Sequence, residues 1–150
     1  MSKPKKTLRS HCPINFAVEL VGDKWTLLIV RDIVFWGKFT FGEFSASEEG
    51  IASNILALRL EHLLSEGVIA KTQDPEDRRK DFYALTEKGL DLIPLLLEMI
   101  SWSEKYDAQS DARTQKAIVS RIRKDREGLV NEIKKSVRAG GSLFGGSRSR

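Results

Sequence analysis

Three groups of side chains in this chain are of types that could do chemistry. Ser53, Asn54, Ala57 and Leu58 open an apolar-periodic stretch. An amide such as Asn54 can pair with an adenine edge, and Ala57 or Leu58 can meet a thymine methyl. Arg59 and His62 lie on the flank of the same stretch, where contact with a phosphate is the expected role. The second group, Arg78-Arg79-Lys80, puts three cations on a short turn behind Asp77, which is placed to orient one of the arginines. Such a tip suits a minor groove, whose potential is most negative where the groove is narrow. The third is Cys12, the only cysteine, just before Pro13 and close in sequence to Lys5, Lys6, Arg9 and His11. A thiol near a positive helix end and several cations suits reaction with electrophiles or oxidants.

Each group also has a plainer reading. Ser53 caps a helix, Leu58 packs on a neighbour, and Arg59 pairs with a nearby carboxylate such as Glu61 or Glu66. The tip at Arg78 to Lys80 is then a solvated turn, and Cys12 a small half-buried residue without redox duty. His62 has no spaced partner that would make it a metal ligand, and Glu48, Glu49 and Glu61 are unfavourable beside phosphate. Nothing in the chain calls for a cofactor or a metal. It holds no Ser/His/Asp or Cys/His arrangement, no metal-ligand cluster and no phosphate-cradling glycine loop, so catalysis is not expected.

The elements that must position these residues follow from periodicity and punctuation. A short helix over Thr40 to Phe44, a turn at Glu48-Glu49-Gly50 and a helix from Ala52-Ser53 to Glu66, stopped by Gly67, form a helix-turn-helix. At 100° per residue Leu56, Leu60, Leu63 and Leu64 gather on one side of the second helix, with Asn54, Leu58, Glu61 and Ser65 on the other. The first set anchors and the second is presented. Strands Val68 to Ala70 and Asp81 to Leu85 around the charged turn Asp74 to Lys80 read as a two-stranded wing.

Upstream, Pro13 begins a helix that runs to Val21, and Asp23 is expected to cap an apolar helix that ends at Gly37. Downstream, Thr86 opens a long helix that is apolar on nearly every side as far as Trp102, with a kink or restart at Pro94. One domain does not cover such a helix, so a second subunit is its natural cover. A last helix is expected from about Asp111 to Val137, interrupted by Gly128, and the Gly/Ser-rich end reads as a flexible tail. The organisation is then a basic arm over 1–11, a winged helix-turn-helix domain with dimerisation helices over 12–107, an extra C-terminal helix over 108–139, and the tail over 140–150.

The 150 residues are enough for one domain that buries roughly 70% of its unfolded surface. A hydrophobic fraction of 41% with 31% charged residues is that of a soluble globular protein, and no apolar run approaches the roughly 20 residues of a membrane span. No secretory signal follows the basic N-terminus, so the cytoplasm is the expected location. One cysteine excludes an intramolecular disulfide. The net charge of +4 and pI of about 9.3 are concentrated at the ends, in Lys3, Lys5, Lys6, Arg9, Arg148 and Arg150, which suits a polyanionic partner.

Several of these segments together resemble the HxlR family of winged-helix transcriptional regulators: Cys12-Pro13-Ile14, Gly22-Asp23-Lys24-Trp25-Thr26-Leu27-Leu28-Ile29, Phe41-Gly42-Glu43-Phe44, Leu56 to Leu64 and Leu85-Thr86-Glu87-Lys88-Gly89. The resemblance covers roughly Cys12 to Tyr106. It implies a mainly α fold with a small β-hairpin wing, a winged helix-turn-helix with flanking dimerisation helices. It further implies a homodimeric regulator of bacterial or archaeal type that binds double-stranded DNA, dimerised through its first and last helices, with Cys12 as a candidate redox switch. A pseudo-palindromic operator would take each reading helix in a major groove and each wing in the adjoining minor groove. A small-molecule effector would sit between the long apolar helix and the core, near Trp25, Trp36 and Trp102. Three features depart from the family: Ser45 to Gly50 is acidic, the wing Asp74 to Lys80 looks more like that of the MarR family, and the helix beyond Asp111 has no counterpart. The competing class is a winged-helix protein-protein interaction module, in which Leu58 and the C-terminal helix bind protein and the wing binds nothing.

Overall fold

Residues 6–111 and 116–145 are described by the computed structural model. Helix α1 (Pro13–Val21) starts on the proline, whose fixed φ and missing N–H cost nothing at a first helical position. Helix α2 (Thr26–Trp36) is the central element, with Ile29, Val30, Ile33, Val34 and Phe35 all buried. Its N-cap position is Trp25 rather than Asp23. Asp23 nevertheless serves the helix start from further back: its Oδ1 accepts from the amides of Trp25 (2.8 Å) and Thr26 (2.9 Å), two donors that the first turn leaves without partners.

Helix α3 (Phe41–Ser45) is capped by the Thr40 side chain, which accepts from the amide of Glu43, while Glu43 Oε2 accepts from the amide of Phe39 at 3.4 Å. These local bonds at the helix start favour so short a helix. Helix α4 (Ser53–Ser65) has Ala52 at its N-cap, so Ser53 is its first helical residue and caps nothing. Leu56, Leu60 and Leu63 are buried, as the periodicity requires. Gly67 then reverses the chain at φ 70°, which favours glycine.

Strands β1 (Ile69–Gln73) and β2 (Asp81–Leu85) pair antiparallel from Ile69↔Leu85 to Gln73↔Asp81. The first strand runs three residues beyond Ala70 because Lys71, Thr72 and Gln73 find backbone partners across the hairpin, which an apolar pattern does not register. The base of the wing is held to the segment before α3, where the Tyr83 amide donates to the Phe39 carbonyl (2.8 Å) and the Phe39 and Phe82 rings meet edge-on.

Helices α5 (Glu87–Leu90) and α6 (Ile93–Tyr106) are separate, and Pro94 lies in the first turn of α6. The proline therefore marks a restart. Gly89 passes so close to the end of α4 and the start of the wing that a Cβ would lie 2.2 Å from the Val68 carbonyl oxygen.

The C-terminal region departs most from expectation. Helices α7 (Lys116–Lys124) and α8 (Arg126–Arg138) replace the single helix, and the break falls at Asp125, not Gly128. Asp125 caps α8 by accepting from the Gly128 amide at 3.0 Å, so a residue that reads as an interruption is part of a helix start. Ile122, Leu129 and Ile133 join the same core as Val30, Val34, Ile93 and Leu97. The chain thus covers one side of α6 itself, while Leu95, Met99, Trp102 and Tyr106 stay exposed on the other. Residues 140–145 are not a free tail either. The amides of Leu143 and Phe144 donate to the carbonyls of Val34 (3.0 Å) and Phe35 (2.8 Å), and the Phe144 ring stacks on Phe35. Two apolar residues in a Gly/Ser-rich stretch suffice, because the last carbonyls of α2 need donors. Lys3, Lys5, Arg148 and Arg150 lie outside the described residues.

Candidate nucleic-acid interface

Helix α4 divides as its sequence requires. Ser53, Asn54, Ala57, Glu61 and Ser65 are exposed, and Leu58 is 55% exposed, so it does not pack within this chain. Such a surface, set on a helix whose other side is buried, can lie in a groove and form hydrogen bonds and methyl contacts with base edges.

The flank of α4 behaves differently. Arg59 Nη1 lies 3.7 Å from Asp23 Oδ2, so its carboxylate partner is neither Glu61 nor Glu66 but a residue between α1 and α2. His62 Nε2 lies 2.9 Å from the carbonyl of Leu20, which makes the ring a strut against the end of α1. Both residues expected to contact phosphate are therefore held by the protein's own fold.

A cluster that sequence reasoning missed stands behind the turn. The Asp32 carboxylate is buried on α2 and accepts from Arg31 Nη2 (2.8 Å), Lys38 Nζ (3.5 Å) and the Ser47 hydroxyl. Arg31 also grips Glu49 with two nitrogens. The Arg31 guanidinium holds the Glu49 carboxyl down at about 2, and Glu49 in turn raises Arg31. One of the carboxylates expected to repel phosphate is thus already paired. The available signal was the Arg31-Asp32 pair inside an otherwise apolar helix.

At the tip of the wing, Arg79 folds back on Asp77, with Nε 3.0 Å from Oδ1, and this contact lowers the Asp77 carboxyl below its ordinary range. Asp77 therefore orients Arg79. Arg78 and Lys80 stand exposed on either side. The tip is closed by the Lys80 amide donating to the Asp77 carbonyl and the Asp74 amide to the Lys80 carbonyl, both at 2.9 Å.

Cys12 is exposed at the N-cap of α1, and its side chain caps nothing. Nearby, Arg9 Nη2 donates to Asn15 Oδ1 at 2.9 Å. Between α2 and α6 runs an open cleft of about 1010 Å³, walled by Phe35, Trp36, Leu96, Met99 and Phe144. Of the three tryptophans expected around an effector, Trp36 borders this cleft and Trp25 and Trp102 do not. Among the described residues no helix is long and apolar enough to cross a membrane.

Comparison with known proteins identifies the arrangement. Residues 20–111, more than half of the chain, match the HxlR-like helix-turn-helix family, and the match ends before α7. An uncharacterized HTH-type transcriptional regulator of Mycobacterium tuberculosis is 37% identical over 93 residues, which are 62% of this chain and 58% of that protein. The chain thus spans little more than half the length of this relative. The solved reduced form of the transcriptional regulator YodB from Bacillus subtilis is 27% identical with a TM-score of 0.51, over 68% of this chain and 100% of YodB. The redox regulator HypR in its oxidized form is 28% identical with a TM-score of 0.56, over 63% of this chain and 96% of HypR. With its helix-turn-helix, its two-stranded wing and the family match over residues 20–111, the chain belongs to the HxlR-like helix-turn-helix family.

Proposed function

We propose that the protein is a DNA-binding transcriptional regulator that acts as a homodimer on a pseudo-palindromic operator. The observation that carries this reading is the division of α4, with Ser53, Asn54, Ala57 and Leu58 on its open face and Leu56, Leu60 and Leu63 buried beneath. In the proposed complex the open face enters a major groove. Arg78 and Lys80 enter the adjoining minor groove, while Arg59 and His62 support the helix from behind. Exposed apolar residues on α1 (Ile14, Phe16, Val18) and α6 (Leu95, Met99, Trp102, Tyr106) supply the surface for the second copy. Family membership supports regulation rather than catalysis.

Cys12 is proposed as a thiol through which oxidants or electrophiles act on binding. Its exposure supports this, as does the likeness to HypR, which is named a redox regulator. With one cysteine in the chain, a disulfide at Cys12 requires a second molecule.

The test is anisotropy titration of the protein against duplex fragments at two salt concentrations, with and without diamide. The expected result is tight binding to a subset of fragments that weakens with salt, with a log-log slope of about −0.9 per neutralised phosphate. Diamide should alter binding in the parent and leave Cys12→Ala unaffected. Absence of binding at low salt, or an affinity indifferent to Arg78→Ala combined with Arg79→Ala, would replace this reading by that of a protein-protein interaction module.

A further inference from the structure

We propose that Asp32 is a positioning residue for DNA reading: it sets the angle at which α4 is presented by clamping the turn between α3 and α4 onto α2. The inference rests on α4 being the element that meets DNA.

A carboxylate that is 2% exposed on an otherwise apolar helix is costly unless donors surround it. Here both oxygens are used. Oδ1 accepts from Arg31 Nε (3.0 Å) and Nη2 (2.8 Å), and Oδ2 accepts from the Ser47 hydroxyl and Lys38 Nζ (3.5 Å). Two arms lead from this hub to the same short segment. One is direct, from Asp32 to Ser47, with Lys38 Nζ also donating to Ser47 Oγ at 2.7 Å. The other passes through Arg31, whose Nη2 reaches Glu49 Oε2 at 2.9 Å.

Ser47 and Glu49 lie in the connection that separates α3 from α4, and the nearest buried apolar anchor after them is Ile51. Apolar contact is non-directional and would let such a connection pivot about one point. Two directed attachments, one to the buried Asp32 carboxylate and one through Arg31 to Glu49 at the surface, hold its rotation as well as its position. Networks of this kind are costly in stability, and what this one supplies in return is a single geometry of the turn.

The test uses the full chain and two duplexes: one selected by the parent protein from a randomised pool, and a scrambled duplex of the same length. Ser47→Ala cuts the direct arm, Ser47→Thr keeps the hydroxyl, and Asp32→Asn removes the charge while keeping the shape. Loss of a hydrogen bond to a charged group is expected to reduce the preference for the selected duplex about tenfold in Ser47→Ala and Asp32→Asn. Ser47→Thr should retain the preference, and binding to the scrambled duplex, carried by phosphate contacts, should change less than about twofold. Hydrogen exchange supplies a second readout. The amides of Gly50 and Leu56, bonded to Ser47 and Ala52, should lose protection in Ser47→Ala, whereas those of Leu97 and Leu129 in the core should not.

An unchanged preference in folded Ser47→Ala overturns the proposal. So does an equal loss on both duplexes with protection lost throughout the chain, which marks a merely structural role. If Asp32→Asn does not fold, the two Ser47 variants decide. If the parent itself shows no preference between duplexes, the DNA reading fails, and unchanged protection at Gly50 and Leu56 then separately overturns the clamp.

Discussion

The arginines packed around α4 and those on the wing are the same residue type in opposite circumstances. Arg31 and Arg59 have side chains 26% and 33% exposed, and each is paired with a carboxylate of another segment. Arg79 is 91% exposed, and its Asp77 partner is two residues away on the same turn. An ion pair at an exposed tip contributes little to stability, because water and salt screen it. A pair that reaches a buried carboxylate, as Arg31 does at Asp32, cannot be broken from one side without leaving that charge short of donors. The inner arginines are therefore committed to holding the segments around α4, and Arg78 and Lys80 at the wing tip face solvent.

The strongest way to break this contrast is Arg31→Ala. It removes two donors from buried Asp32 and frees Glu49, and it is expected to cost about 2 kcal/mol by denaturant unfolding. A cost below about 0.5 kcal/mol, the range of an ordinary surface change, would put Arg31 in the same class as the wing.

The converse experiment is Arg78→Ala with Lys80→Ala. DNA affinity should fall several-fold at low salt, and the salt slope should become shallower by about 0.9 for each phosphate that the wing no longer neutralises. Unfolding should stay within about 0.5 kcal/mol of the parent. A change in stability as large as that from Arg31→Ala would erase the distinction.

A smaller effect should appear in acid. Arg31 holds the Glu49 carboxyl at about 2 in the folded protein, against an ordinary value of 4.5. Because the folded value is the lower one, the stabilisation is present above about 4.5 and is lost as the pH falls from there through about 2. Glu49→Gln should flatten this stretch of the stability profile, and an unchanged acid limb would show that the pair does not couple to folding. Smallest of all is Asp77→Asn, which releases Arg79: unfolding should be indistinguishable from the parent, and only the salt dependence of DNA binding should move.

Legibility in the sequence follows the range of the interactions. Pro13 at a helix start, Thr40 with Glu43, and Gly37 and Gly67 at helix ends act within four residues of themselves, and the elements that they bound are legible from the sequence. The break at Asp125 reads as one at Gly128 because both lie in one local motif, and the glycine is the more conspicuous member. Arg59 with Asp23 and His62 with Leu20 are separated by 36 and 42 residues, and the docking of Leu143 and Phe144 on α2 spans more than a hundred. No periodicity or propensity carries such pairings.

By itself the sequence determined which side of α4 is buried, that a basic hairpin follows it, and which family motifs surround them. These depend on side-chain polarity at fixed helical and strand spacing, which covalent geometry imposes. Only the tertiary structure decided which cations are committed to the fold and which face solvent, that the C-terminal helices complete the core, and that Asp32 joins α2 to the turn. Every arginine is charged whatever its place in the chain, but its partner is whichever carboxylate the closure of the core brings within reach.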